Sequence, residues 1–396
     1  MKKEKVKEEK LSKSAIGIMG SLLINNVLYM FVNTFMVAYF ITLTNYDYKQ
    51  ISIYYALSFV AILLTFLTFG RIIKNKNQVW VFRSGIIAYC LYILILAFLK
   101  EKIVIYFAPL GFFYGIVQGL IWVAAHTLVN EHTQNNTNKF ISFKSIISKI
   151  LKIFFPIVFG VSIELTSFSY VAKIVILLSI TQFIFSLFIE DKAKTYDKKY
   201  NLKEYINLVK SNDKFKTVYK LCICDGIVNY LLETLIVILT VMTFKTTISL
   251  GVITTITAIC SILSVYIFQY KLKSNWKILK ICNIMIVSSV FLLLVNISKP
   301  TIIIYNACTA IFLVILSNTG DTKRYEIVNE NETVVKDYIV EHQVVCEAIL
   351  NITRIIAYIL LFVISLFNNI ILFKILLLLV TVVILIYSNL LIKLKK

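Results

Sequence analysis

EDKAKTYDKKYNLKEYINLVKSNDKFK, residues 190–216, is the longest polar stretch between apolar runs in this chain, and eight of its residues are lysine. Six long apolar runs precede it and six follow it, and that count decides the fold. A membrane-spanning helix needs about 20 mainly apolar residues. Before the stretch such runs lie near 16–43, 51–70, 79–99, 103–129, 143–165 and 170–189. After it they lie near 217–244, 248–270, 279–297, 301–318, 346–367 and 370–392. The run near 103–129 is read as the longest and as a tilted helix. The expected division is a tail over 1–14, a first bundle over 15–190, a linker over 191–216, a second bundle over 217–393 and a short end at 394–396. Within the linker, Leu202, Tyr205, Ile206, Leu208 and Val209 fit a short amphipathic surface helix or a solvated connection equally well.

Composition agrees with lipid as the solvent. The chain has 396 residues, of which 59% are hydrophobic. Soluble domains are about 45–50% apolar. The net charge of +20 does not indicate nucleic acid, because the lysines cluster in short segments between the apolar runs. Thirty of the 41 basic residues fall in segments that an N-in, C-in arrangement puts inside, against five outside. Only Arg71, Arg83, Arg324 and Arg354 are arginine, so part of the lysine count reflects compositional drift. The ratio of thirty to five survives that discount. The seven cysteines are dispersed among the apolar runs and read as free thiols, with no clustered metal ligands. No cofactor and no resident metal is expected.

The two halves resemble each other. A shift of 200 brings Asn25, Tyr29, Asn33 and Thr34 onto Asp225, Asn229, Glu233 and Thr234. Both sets climb one helix face in steps of four. A shift of 202 brings Lys149 and Lys152 onto Asn351 and Arg354. Related six-helix bundles are a common transporter plan, with the substrate between them.

Local motifs point the same way. The fourth run reads GFFYGIVQGLIWVAAHTLVNEHT, with Gly111, Gly115 and Gly119 in a ladder before Trp122 and Glu131. The fifth contains Pro156 and Gly160, and the eleventh opens EAILNITR. On these features the chain resembles the major facilitator superfamily of secondary transporters, across residues 15 to 393. EAILNITR is similar to an E-x-x-L-N-x-G-R stretch of bacterial members, with Thr353 replacing the glycine. One departure is plain. The family's G-x-x-x-D-R-x-G-R-R loop is GRIIKNKNQVWVFR here, with Lys74 in place of the acid that helps latch the cytoplasmic ends. Arg71 and Arg83 keep the loop basic. The resemblance implies an all-α fold of two pseudo-symmetric six-helix bundles. It also implies a cavity lined by helices 1, 4, 7 and 10, with helices 5 and 11 where the halves meet.

Charges within a bilayer cost about 2.5–3.5 kcal/mol each on insertion scales, so each needs a reason. The cavity candidates are Asn25, Tyr29, Asn33, Tyr114, Gln118, Trp122 and Asn229. Asp225 and Glu233 are candidate proton carriers. Lys152, Arg354, Glu347, Arg71 and Arg83 are candidate gating or interface charges. Glu131–His132 and Glu341–His342, before the fifth and eleventh runs, read as loop residues.

The expected function is secondary active transport of a small solute by alternating access, coupled to protons. A lipid or polymer flippase on the same fold is the alternative, and a membrane-embedded transferase a weaker one. Three histidines, short outer loops and the lack of an Asp-rich motif argue against an enzyme. The lack of a Gly-rich phosphate loop argues against an ATP-driven pump. A monomer in a bacterial cytoplasmic membrane is expected, with lipid and a small molecule as its partners. Charge alone does not select the solute, since acids and bases both lie on the candidate faces.

Overall fold

The computed structural model describes residues 11–45, 47–74, 78–133, 137–191, 198–267, 277–367 and 369–394. The tail before residue 11 and most of the loop at 270–280 lie outside them. Among the described residues, twelve helices are long and apolar enough to cross a membrane. The first six are α1 (Lys13–Leu43), α2 (Lys49–Lys74), α3 (Gln78–Leu99), α4 (Phe107–His132), α5 (Thr137–Leu165) and α6 (Phe168–Leu187). The second six are α7 (Asp213–Phe244), α8 (Thr247–Ile267), α9 (Lys277–Val295), α10 (Lys299–Asn329), α11 (Ile339–Leu366) and α12 (Ile370–Lys393). Helices dominate because a lipid-facing backbone must satisfy its own hydrogen bonds. Their starts are set by local chemistry. Ser12, Ser167, Asn212 and Asn369 each accept a backbone N–H of the first turn. Ser298 and Thr301 form a reciprocal capping box on α10.

The helices pair in a pattern that repeats between halves. In the first, α2 packs on α4, α3 on α4 and α6, and α1 on α6 and α5. In the second, α8 packs on α10, α9 on α10 and α12, and α7 on α12 and α11. Adding six to each number of the first set gives the second. The bundles meet along α2·α11 and α5·α8, which the same operation interchanges. The glycine ladder serves the α2·α4 contact. A Cβ at Gly111 or Gly115 would run into the carbonyls of Tyr54 or Ser58, and one at Gly119 into the Thr65 side chain.

Three details depart from the sequence reading. α4 is not the longest helix, since its 26 residues are exceeded by the 32 of α7 and the 31 of α10. α10 does not stop at its apolar limit but continues to Asn329, and α11 begins at Ile339, seven residues before its expected start. Hydropathy marks where lipid ends, whereas helical hydrogen bonding continues into the polar flank. In the linker, Leu202–Val209 is helical, and it buries Tyr205 and Val209 against Phe215, Val218, Val334 and Tyr338.

α1 is interrupted by a π-helical segment, Phe31–Met36, between α-helical Lys13–Met30 and Val37–Leu43. Its outer end, Val37–Leu43, packs on α7.

Candidate functional site: a cavity between the halves

A cavity of about 500 Å³ lies between the bundles. α1 contributes Asn26, Tyr29, Met30 and Thr34, α4 contributes Trp122, and α7 contributes Asn229, Tyr230 and Glu233. α10 adds Asn306, Thr309 and Ser317. These are the four helices that the resemblance implied. α5 adds Lys152, and α8 adds Leu250, Thr254 and Ser261. The volume falls within the roughly 300–1,000 Å³ common for small-molecule sites.

The stripe on α1 divides. Tyr29 faces the cavity, where its hydroxyl donates to Glu233 Oε2 at 3.3 Å. Asn25 is fully buried toward α6 and accepts from Gln182 Nε2 at 3.4 Å. The neighbouring Asn26 takes the cavity place and donates to Ser148 Oγ at 3.2 Å. Asn33 also turns away. It accepts from Tyr55 at 2.8 Å and donates to Tyr114 at 2.7 Å, inside a buried tyrosine cluster. Tyr114 belongs to that cluster, stacked near Tyr54 and tilted against Tyr92. Gln118 is buried and accepts from Trp122 Nε1 at 3.2 Å, fixing the indole at the cavity wall.

On α7, Glu233 and Asn229 line the cavity, but Asp225 does not. Asp225 is paired with Arg324 of α10 at 2.5 Å, and Arg324 also meets Asp321 at 2.5 Å. Asn229 lies 3.5 Å from the other Asp225 oxygen. Arg324 lies beyond the apolar run that ends near residue 318. The continuation of α10 past its apolar limit brings it here.

Lys152 is exposed to the cavity and has no ion pair or hydrogen-bond partner among the described residues. Pro156, four residues on, removes the amide that would otherwise bond the Lys152 carbonyl. Arg354 does have partners. Its guanidinium lies 4.2 Å from the Tyr230 ring centre and 5.4 Å from that of Phe59. It donates to Asn351 Oδ1 at 3.1 Å and lies 3.7 Å from Glu347. Phe59 belongs to α2 and Tyr230 to α7, so Arg354 stands where the halves meet.

At the face carrying both chain ends, Lys74 of α2 meets Glu341 of α11. The Nζ–Oε1 distance is 2.6 Å, with side-chain exposures of 1% and 0%. Lys74 also donates to the Asp337 carbonyl at 2.6 Å, and the Asn201 amide donates to Glu341 at 2.9 Å. Glu341 and His342 are therefore not loop residues. They sit in the first turn of α11, buried by the linker, and His342 Nδ1 is 2.7 Å from Tyr205 Oη. Above the pair, Tyr338 donates to Glu204 at 2.5 Å and accepts from Lys198 at 2.8 Å. These bonds from Tyr338 and Lys198 hold the Glu204 carboxyl below its ordinary range. Arg83 bonds the carbonyls of Ser186 and Ile189 at the end of α6, within one bundle, and Arg71 is exposed. All seven cysteines are free thiols.

Solved structures share this architecture. A variant of the nucleoside transporter NupG aligns with a TM-score of 0.68 at 12% identity, over 97% of this chain and 100% of that one. A bacterial homologue of the iron transporter ferroportin, inward-facing, aligns at 0.65 and 14% identity, over 98% and 100%. A bacterial metal transporter aligns at 0.64 and 12% identity, over 98% and 100%. No curated protein matches by sequence. The family model described as Major Facilitator Superfamily matches residues 18–320, about three quarters of the chain. With that match and this fold, the chain is a member of the Major Facilitator Superfamily of membrane transporters.

Proposed function

We propose that the chain moves a small solute by proton-coupled alternating access, with Glu233 as the proton carrier. One observation carries this reading. The Tyr29 hydroxyl of α1 reaches the Glu233 carboxylate of α7 across the cavity, so a single titratable group joins the two halves at the binding site. Protonation there changes a hydrogen bond that links the two halves, and so can bias their relative position. Asp225 is the weaker candidate, because its charge is already balanced by Arg324 outside the cavity. The similar structures are named for nucleoside, iron and metal transport, so the shared fold selects no solute.

The lysine asymmetry supports a cytoplasmic location for both chain ends. Cysteine at Lys102 or Asn369 then reacts with an impermeant reagent from outside, and cysteine at Lys198 or Lys336 only from inside. Coupling is tested in proteoliposomes. Glu233→Gln abolishes uphill transport and leaves solute exchange largely intact. Full uphill transport by that variant removes Glu233 from the role.

A further inference from the structure

The charges around the cavity are unequally satisfied, and the inequality indicates what enters. Asp225 is neutralised by Arg324, and Arg354 has Glu347 and Asn351 beside it. Glu233 accepts a hydrogen bond from Tyr29. Lys152 offers three N–H donors to the cavity, with no acceptor among the described residues. An exposed ammonium without such an acceptor is free to pair with an anion in a charge-assisted hydrogen bond. A second group also awaits a partner. Asn306 of α10 is 1% exposed, lines the cavity, and has neither amide atom hydrogen-bonded.

From this arrangement we infer that the transported solute is a small organic monoanion, a carboxylate with an apolar body, held by Lys152 and accompanied by one proton on Glu233. The inference rests on the transporter reading above and adds the solute class and the stoichiometry. Apolar Ile236, Val237, Leu250, Ile253, Leu313 and Val314 form the rest of the wall and suit the body of such an acid. The stoichiometry follows from charge. Lys152 and an ionised Glu233 sum to zero in the empty cavity. An entering monoanion makes the sum negative, and a proton taken from water onto the Glu233 carboxylate restores it. A neutral interior is the one that crosses the apolar midplane at least cost. Anion and proton therefore bind together or not at all, and each leaves with the other. A zwitterion needs no proton, and an organic cation leaves the ammonium of Lys152 unmatched.

The test uses the full-length protein in detergent and a panel that varies charge at fixed shape. Hexanoate and benzoate are compared with hexanamide, benzamide, hexylamine and benzylamine by thermal stabilisation across acidic to neutral pH. The acids are expected to bind on the order of tenfold more tightly than their amides and amines. Their affinity rises as pH falls toward the range in which Glu233 takes its proton. Lys152→Gln abolishes the preference for acids and Lys152→Arg retains it, which separates charge from folding. Glu233→Gln, a permanently neutral mimic, binds the acids with no pH dependence over that range. Tighter binding of amines or amides, survival of the preference in Lys152→Gln, or no binding by either acid at millimolar concentration overturns the inference. Such a result with proton uptake intact removes the anion but leaves the transporter reading standing. Preferred acid binding with no proton uptake in proteoliposomes overturns the coupled stoichiometry and the coupling reading together.

Discussion

The pseudo-twofold makes α2·α11 and α5·α8 equivalent, yet the two contacts are built from different chemistry. α2·α11 packs aromatic rings near the middle, with Tyr55 and Phe59 against Tyr358 at 4.9 and 5.5 Å between centres. At the end near the chain termini it closes on the dry Lys74–Glu341 pair. α5·α8 is a backbone contact. A Cβ at Gly160 would lie 2.7 Å from the Thr247 carbonyl, and one at Gly251 would meet the Pro156 carbonyl. Its polar links lie toward the opposite face. Thr247 donates to Glu164 through its amide at 3.0 Å, in exposed positions, and Thr255 donates to the Ile153 carbonyl at 2.9 Å. α5 leaves Ile146 and Phe154 more than half exposed. Opening the termini face thus requires two dry charges to separate and hydrate. At the other, the exposed Thr247–Glu164 hydrogen bond exchanges with water at smaller cost. Two contacts that the fold's symmetry relates are therefore closed at opposite ends and with unequal strength.

That contrast can be broken from either side. The largest effect is expected from Glu341→Gln, which removes the carboxylate paired with the buried ammonium of Lys74. Loss of one partner of such a pair costs about 3–5 kcal/mol. Detergent melting temperature should fall, and labelling of cysteines introduced at the termini face should rise. Lys74→Met combined with Glu341→Leu should recover most of the melting temperature, since both buried charges are then replaced by apolar side chains. If the single variant melts like the parent, the pair is not what closes this face. Next comes Gly251→Val, which forces α5 and α8 apart. Overpacking of this kind costs about 1–3 kcal/mol, and solute exchange should slow while membrane insertion is unchanged. Unimpaired exchange would mean that the helices need not approach so closely.

A smaller effect is expected at Arg354. Arg354→Lys keeps the charge but loses the flat guanidinium over Tyr230 and Phe59, a contact of roughly 0.5–2 kcal/mol. Transport should be partly retained, and Arg354→Ala should lose more of it through an altered balance of accessibility at the two faces. Unchanged accessibility with lost solute binding would make Arg354 a solute ligand. The smallest effect concerns Glu204, whose carboxyl is lowered by Tyr338 and Lys198. A lowered carboxyl stabilises the fold above its unfolded pKa, and the contribution is lost as pH falls through the lower folded value. The linker should therefore loosen only in acid below the ordinary carboxylate range. Proteolysis of the linker against pH should show this, and Glu204→Gln should flatten the profile.

The membrane architecture was legible because lipid imposes a local rule: a run long enough and apolar enough is a span. The repeat was legible because Asn25 and Asp225 begin similar stripes. The site was only partly so. A step of four along α1 cannot choose between adjacent Asn25 and Asn26, and what decides is that α6 covers one of them. Arg324 falls outside the apolar runs and Glu341 reads as a loop residue, because their flanks are polar. Their partners Asp225 and Lys74 lie about 100 and 267 residues away, and pairings so distant leave no local pattern. Asn306 lies in an apolar run without a stripe around it, so nothing in the sequence singled it out.

The π segment of α1 bears on how this chain tolerates change in length. Deleting a residue from an ordinary α-helical span turns everything beyond it by about 100° and draws it back by about 1.5 Å. Phe31–Met36 already holds one residue more than an α-helical path across the same turn requires. A single deletion there returns the turn to α geometry and leaves Asn26 and the outer segment Val37–Leu43 facing their present neighbours. Among the described spans, the middle of α1 is thus a place where the length can shrink by one residue without changing which side chains meet.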